Sequence, residues 1–197
     1  MIKWYYILLK TVIFYMLRNT TKKILTIPNI LSMFRIVLIP VCAWLYCVQK
    51  NSVLTAVILL LSWLTDMVDG FVARKFNMVS DFGKVLDPVA DKLTQAAMLF
   101  CLIFKFPYMV ILLLFMTVKE IIMAVTGYMV IRQTGNVHSA NWHGKIATGI
   151  LYTMLFIHIL WIDIPHALST GIMIICGVMM LLSLILYTTR NIKLLKK

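Results

Sequence analysis

The sequence predicts an all-α integral membrane protein: six transmembrane helices preceded by an N-terminal interfacial amphipathic helix. Three observations lead there. Hydrophobic residues make up 62% of the 197 positions and charged residues only 13%. With mean hydropathy at +0.94, too few polar side chains are present to cover a water-facing surface. The apolar residues also fall into six runs, each near the ~20 residues that cross a bilayer. Finally, the basic residues gather at the ends of those runs, as topology signals and anionic-lipid contacts do.

Residues 1–23 carry Lys3, Lys10 and Arg18 among Trp4, Tyr5, Tyr6 and Tyr15. A spanning helix would hold Lys10 at its centre, and no small-residue cleavage site follows, so an interfacial helix is expected. Residues 24–197 form the six-helix domain. Pro28 precedes the first span, Asn29 to Val48. The second covers Ser52 to Phe76, and a short loop at Asn77 to Asp81 leads to the third, Phe82 to Phe106. Pro107 opens the fourth, which runs to Ile131. The polar stretch from Arg132 to Lys145 is the longest loop, followed by a fifth span to Ile162 and a sixth from Pro165 to Tyr187.

Net charge is +12, yet no aromatic-interleaved basic stripe marks a nucleic-acid surface. With six spans, one side receives Lys22, Lys23, Arg74, Lys75, Lys84, Arg132, Lys145, Arg190, Lys193, Lys196 and Lys197. The other side receives Lys50 and Lys105. The positive-inside rule then places both termini, and the end of spans two and three that carries the aspartates, in the cytoplasm of a multi-pass cell-membrane protein. Cys42, Cys47, Cys101 and Cys176 lie in apolar runs without metal or redox spacing, and His138, His143, His158 and His166 lack ligand spacing.

The chain has only seven acidic residues, and five of them, Asp66, Asp69, Asp81, Asp87 and Asp91, fall within 26 positions. Each carboxylate costs about 2.5 to 3.5 kcal/mol at mid-helix in a membrane, so a compensating divalent cation with oxygen ligands is expected. Asp66 and Asp69 are three apart and Asp87 and Asp91 four apart, so each pair shares a helical face. Gly70 and Gly83 remove bulk where a ligand or facing backbone comes close. Arg74 follows Gly70 by one turn and offers planar, bidentate phosphate binding. Carboxylates, cation and arginine together describe a phosphate-transfer centre.

Asp66, Asp69, Gly70, Ala73, Arg74, Gly83, Asp87 and Asp91 fill every defined position of the pattern D-x2-D-G-x2-A-R-x8-G-x3-D-x3-D. That pattern resembles the signature of the CDP-alcohol phosphatidyltransferases. The resemblance implies a homodimeric membrane enzyme that displaces CMP from a CDP-linked lipid, with two Mg2+ ions (Mn2+ as a substitute). It assigns Asp66 and Asp87 as ligands shared by both ions, Asp69 to the first and Asp91 to the second, with Asp91 also the general base. Arg74 would bind the diphosphate, and Gly70 would let the nucleotide reach the helix backbone. Asn29 and Ser32 resemble nucleotide contacts of the family's first helix, with helix capping as the alternative. Ser80 stands where relatives place a small hydroxylic residue near the nucleotide, or serves the loop alone.

For the acceptor alcohol, Lys119 within the fourth span and Lys145 at the start of the fifth are candidate phosphate-binding cations. Arg132 is a further candidate. An ion pair of Lys119 with Glu120 is not expected, because adjacent helical residues point apart. Lys145 could equally snorkel to lipid headgroups. The segments around Asp81 to Leu93 and Ile27 to Pro40 look like those of bacterial phosphatidylglycerophosphate synthases, which join CDP-diacylglycerol to sn-glycerol 3-phosphate. Two features depart from them: Lys119-Glu120 replaces their Arg-Glu, and Gly144-Lys145-Ile-Ala-Thr148 lacks the second lysine of G-K-x-K-T. A cardiolipin synthase of the same fold, with phosphatidylglycerol as acceptor, is the second reading. Another CDP-alcohol phosphotransferase falls beside it, and a non-enzymatic cation carrier is third.

Overall fold

The computed structural model describes the backbone of residues 27–75, 83–134 and 142–195, with side chains except at 27–28, 66–75, 84–85, 134 and 143. The expected helix over residues 1–23 lies outside the described residues. Among the described residues, six helices follow in order: α1 (Ile27–Cys47), α2 (Ser52–Lys75), α3 (Gly83–Ile103), α4 (Met109–Thr134), α5 (Trp142–Leu160) and α6 (His166–Leu195). No strand occurs among the described residues.

The expected spans and the helices coincide except at their ends. Pro107 precedes α4 by two residues, because Met109 and Val110 first make single-turn bonds to the carbonyls of Phe106 and Pro107 (2.9 and 3.2 Å). The amides of Lys105 and Phe106 both turn onto the Leu102 carbonyl, which closes α3 earlier than expected. At the other extreme, α6 runs on past Tyr187 to Leu195. No Gly or Pro stands between them to stop it, and Gln133 Nε2 donates to the Leu195 carbonyl at 3.2 Å.

Among the described residues, three stretches are long and apolar enough to cross a membrane: Asn29–Cys47, Met109–Gln133 and His166–Leu195. Ser52–Thr65 and Gly144–Leu160 are shorter apolar stretches. Beside the apolar core, burial departs from the pattern of a soluble protein. Asn29, Ser32, Arg35, Gln95, Lys119, His158 and Asn191 are buried, whereas Val37, Phe104, Ile111, Leu114 and Ile174 are exposed. Lipid is as apolar as leucine, so apolar residues gain little by facing inward, while polar groups require partners inside the protein.

The helices form two compact units, Met1–Trp44 with Val57–Thr94, and Leu45–Ala56 with Gln95–Lys197. In the second unit, contacts set helix direction and register. Leu112 meets the backbone of Gly177 and Thr126 accepts from Asn191 at 3.1 Å. Both pairs share one offset of 65 positions, so α4 and α6 run parallel. Against α6, α5 runs antiparallel: Gly144 meets Tyr187 and His158 meets Ser169. A Cβ on Gly144 would stand 2.8 Å from Tyr187 Oη and 3.0 Å from its ring edge, so a larger residue there would have to displace the tyrosine side chain.

His158 ties the other end of that crossing. Its Nδ1 lies 2.8 Å from the Met154 carbonyl, which can only accept, so Nδ1 carries the proton. Nε2 is then the acceptor for the Ser169 hydroxyl at 2.9 Å. Phe106 packs edge-on against the ring, centroids 5.0 Å apart. The histidine is a satisfied core residue, in keeping with the lack of any ligand spacing.

Candidate active site

Within the first unit, α2 carries Asp66, Asp69, Gly70, Ala73 and Arg74 in its C-terminal half, and α3 carries Gly83, Asp87 and Asp91 in its N-terminal half. The side chains at 66–74, and all of Ser80, lie outside the described residues. Of the eight signature positions, Gly83, Asp87 and Asp91 are therefore placed in full. Gly83 is the buried first residue of α3, and Asp87 and Asp91 follow on one face at a spacing of four.

Ser32 on α1 brings the first helix to this cluster. Its hydroxyl is fully buried and donates to Asp87 Oδ1 across 55 positions of chain. Two residues singled out separately in the sequence thus touch. Asn29 is 2% exposed and is the third residue of α1, inside the helix. Its place in the first turn of α1 is where both a nucleotide contact and a helix-start role would put it.

Arg35 was missed by the sequence reading as a site residue. It is 1% exposed and stands one turn beyond Ser32, so Asn29, Ser32 and Arg35 form one buried polar stripe with a spacing of three. That spacing was the available signal. Asp91 has Lys92 Nζ 3.6 Å from its Oδ2, a largely buried pair.

Among the described residues, no group of three or more His, Cys, Asp or Glu comes together. The residues that are described fit a hard divalent cation. Asp87 and Asp91 are carboxylates, and the hydroxyl of Ser32 occupies only one of roughly four lone-pair positions on Asp87, leaving the rest for coordination.

The acceptor candidates lie in the second unit. Lys119 is 6% exposed, and its Nζ sits 2.8 Å from Glu120 Oε1. This corrects the expectation that the two point apart. Four methylenes let the ammonium fold back along the helix, and in an apolar surround the attraction outweighs the cost of bending. Applying the 65-residue offset to Tyr187 gives position 122 on α4, so Gly144 and Lys145 stand at about the level of Lys119. Arg132 lies thirteen residues further along α4, roughly 20 Å at 1.5 Å per residue. Lys119 and Lys145 therefore share a level and Arg132 does not. Lys145 and Arg132 are exposed.

A profile of the CDP-alcohol phosphatidyltransferase family matches residues 25–188. The chain is also similar to the CDP-diacylglycerol–glycerol-3-phosphate 3-phosphatidyltransferase of Wigglesworthia glossinidia brevipalpis, 33% identical over 162 residues, 80% of this chain and 85% of that protein. The enzyme of that name from Rickettsia typhi is 44% identical over 69 residues, 34% of this chain and 39% of that protein. A cardiolipin synthase (CMP-forming) of Streptomyces coelicolor is 40% identical over 81 residues, 39% of this chain and 38% of that protein. The chain thus spans less than half the length of the Rickettsia relative.

Proposed function

Because the chain belongs to the CDP-alcohol phosphatidyltransferase family, we propose that it transfers a phosphatidyl group from CDP-diacylglycerol to sn-glycerol 3-phosphate, releasing CMP. One observation carries this: all eight signature residues stand at the required spacing on α2 and α3. The Wigglesworthia enzyme, similar over most of its length, supports glycerol 3-phosphate as acceptor.

Asp66, Asp69, Asp87 and Asp91 would hold two Mg2+ ions, with Mn2+ as a substitute. When bound, the cations neutralise charge on the diphosphate. The chain's own residues do the rest. Asp91 takes the proton from the acceptor hydroxyl as that oxygen bonds to the β-phosphorus and the bond to CMP breaks. Ser32 fixes the rotamer of Asp87 through its hydrogen bond. Arg74 and the backbone at Gly70, with Asn29, Ala73, Ser80 and Gly83, form the CDP-lipid site. Lys119 and Lys145 receive the acceptor's phosphate, with Arg132 near the end of α4 a further candidate.

All six helices cross the cell membrane in this reading, with both termini and the aspartates on the cytoplasmic side and residues 1–23 along the interface. The alternation of α4, α5 and α6 supports it, as does the basic excess at one side. The active form is a homodimer.

The deciding experiment supplies purified protein, CDP-diacylglycerol and Mg2+ with glycerol 3-phosphate, phosphatidylglycerol or other alcohols, and identifies the lipid formed. Phosphatidylglycerophosphate with release of CMP is expected. Cardiolipin from phosphatidylglycerol, with no product from glycerol 3-phosphate, would move the assignment to the second reading, which the Streptomyces relative favours. Ion flux without CMP release would overturn both.

A further inference from the structure

At the end of α2 remote from its aspartates, the second unit contains a cavity of about 630 Å³. The turns between α1 and α2, α3 and α4, and α5 and α6 all contribute to it. Lys50, Lys105, Tyr46 and Ser52 supply its polar lining, and Phe104 and Ile162 its apolar lining. The side that the positive-inside reading leaves poor in basic residues has two lysines, Lys50 and Lys105, and both line this one space.

The backbone holds Lys50 there under strain. Its φ is +52°, a left-handed conformation that glycine adopts without cost and lysine does not. Hydrogen bonds beside it enforce the turn: the Asn51 amide donates to the Leu45 carbonyl at 3.0 Å, and Asn51 Oδ1 caps α2 through the Leu54 amide at 3.0 Å. Ser52, the first residue of α2, brings the positive end of the helix dipole to the same cavity. Lys105 lies 3.6 Å from Asp163 Oδ1, whose side chain is almost fully exposed. Such a loose surface pair contributes little and yields to a stronger anion.

We propose that this cavity binds the phosphate headgroup of an anionic phospholipid. The occupant is a lipid rather than free phosphate, because the cavity opens beside lipid-facing apolar side chains. Phe104 is 75% exposed at its edge, and Trp161 is exposed next to Ile162. Its place at the helix ends is headgroup depth, where the ammonium groups of Lys50 and Lys105 can make charge-assisted hydrogen bonds to a lipid phosphate. The site is independent of the transfer reaction.

Two measurements test it. In native mass spectrometry of the full-length protein in zwitterionic detergent, phosphatidylglycerol should bind more tightly than phosphatidylcholine. In K50N/K105Q, where Asn tolerates the left-handed backbone, that binding should weaken roughly 25-fold, about five-fold per lysine, and K50R/K105R should retain it. The second measurement needs no variant. Cys47 is the exposed thiol of the four cysteines and lines the cavity. Its labelling by a water-soluble maleimide should be slower in phosphatidylglycerol vesicles than in phosphatidylcholine vesicles. Unchanged binding in K50N/K105Q, equal labelling in both vesicles, or protection by inorganic phosphate alone would each overturn the proposal.

Discussion

If Asp91 takes the proton from the acceptor hydroxyl, Asp91→Asn should bind CDP-diacylglycerol nearly normally while turnover falls about 100-fold or more. Residual activity above a few per cent, in a direct assay of CMP release, would remove Asp91 from that role. Ser32→Ala acts one step back. It removes the donor that orients Asp87, a charged-group hydrogen bond of about 1.5 to 3 kcal/mol. The Mg2+ concentration for half-maximal activity should therefore rise about ten-fold or more, while the fold stays intact by circular dichroism. Lys119 requires more care, because Lys119→Ala would leave Glu120 as an uncompensated carboxylate in an apolar surround. The double variant Lys119→Gln with Glu120→Gln avoids that penalty. It should raise KM for glycerol 3-phosphate ten- to a hundred-fold and leave KM for CDP-diacylglycerol unchanged. Equal loss for both substrates would make the pair structural. Which residues the sequence reveals at this scale follows from chemistry. The aspartates announce themselves because acids are rare in apolar sequence. Arg35 did not stand out among basic residues used as lipid contacts, and the Lys119–Glu120 pair depends on how a side chain bends.

Helices in a membrane hide the information that soluble helices display. On α4, Leu112 and Met116 face inward while Ile111, Leu114 and Val118 face outward, so both faces are apolar and periodicity cannot say which one packs. The existence and order of the helices were legible for that reason alone: long apolar runs separated by polar turns. The offset of 65 between α4 and α6, and the crossing of α5 at Gly144, were not, because close contacts and polar bonds rather than an apolar stripe set them. His158 tests this account. His158→Ala leaves the Ser169 hydroxyl buried without its acceptor, a loss of about 1 to 3 kcal/mol, so the midpoint of thermal unfolding in detergent should fall several degrees. Adding Ser169→Ala should then cost almost nothing more, since its partner is already gone. Fully additive losses would show that the α5–α6 bond contributes little.

For the molecule as a whole, the charge distribution makes a directional claim. A fluorescent reporter at the C terminus should fold in the cytoplasm, and alkaline phosphatase fused at Asp163 should be active outside while one fused at His138 is inactive. The reverse pattern would overturn the proposed orientation. The length of α6 adds a different constraint. Its 30 residues rise about 45 Å, against roughly 30 Å of hydrocarbon. The surplus falls at the end that carries Arg190 and Lys193 and is bonded to α4 through Asn191 and Gln133. A thicker membrane draws that charged end toward the oil and a thinner one frees it, with tilt absorbing part of the difference. Hydrophobic mismatch thus acts on α4 and α6 together through the bonds that join their ends, and membrane thickness becomes a physical variable for the pair.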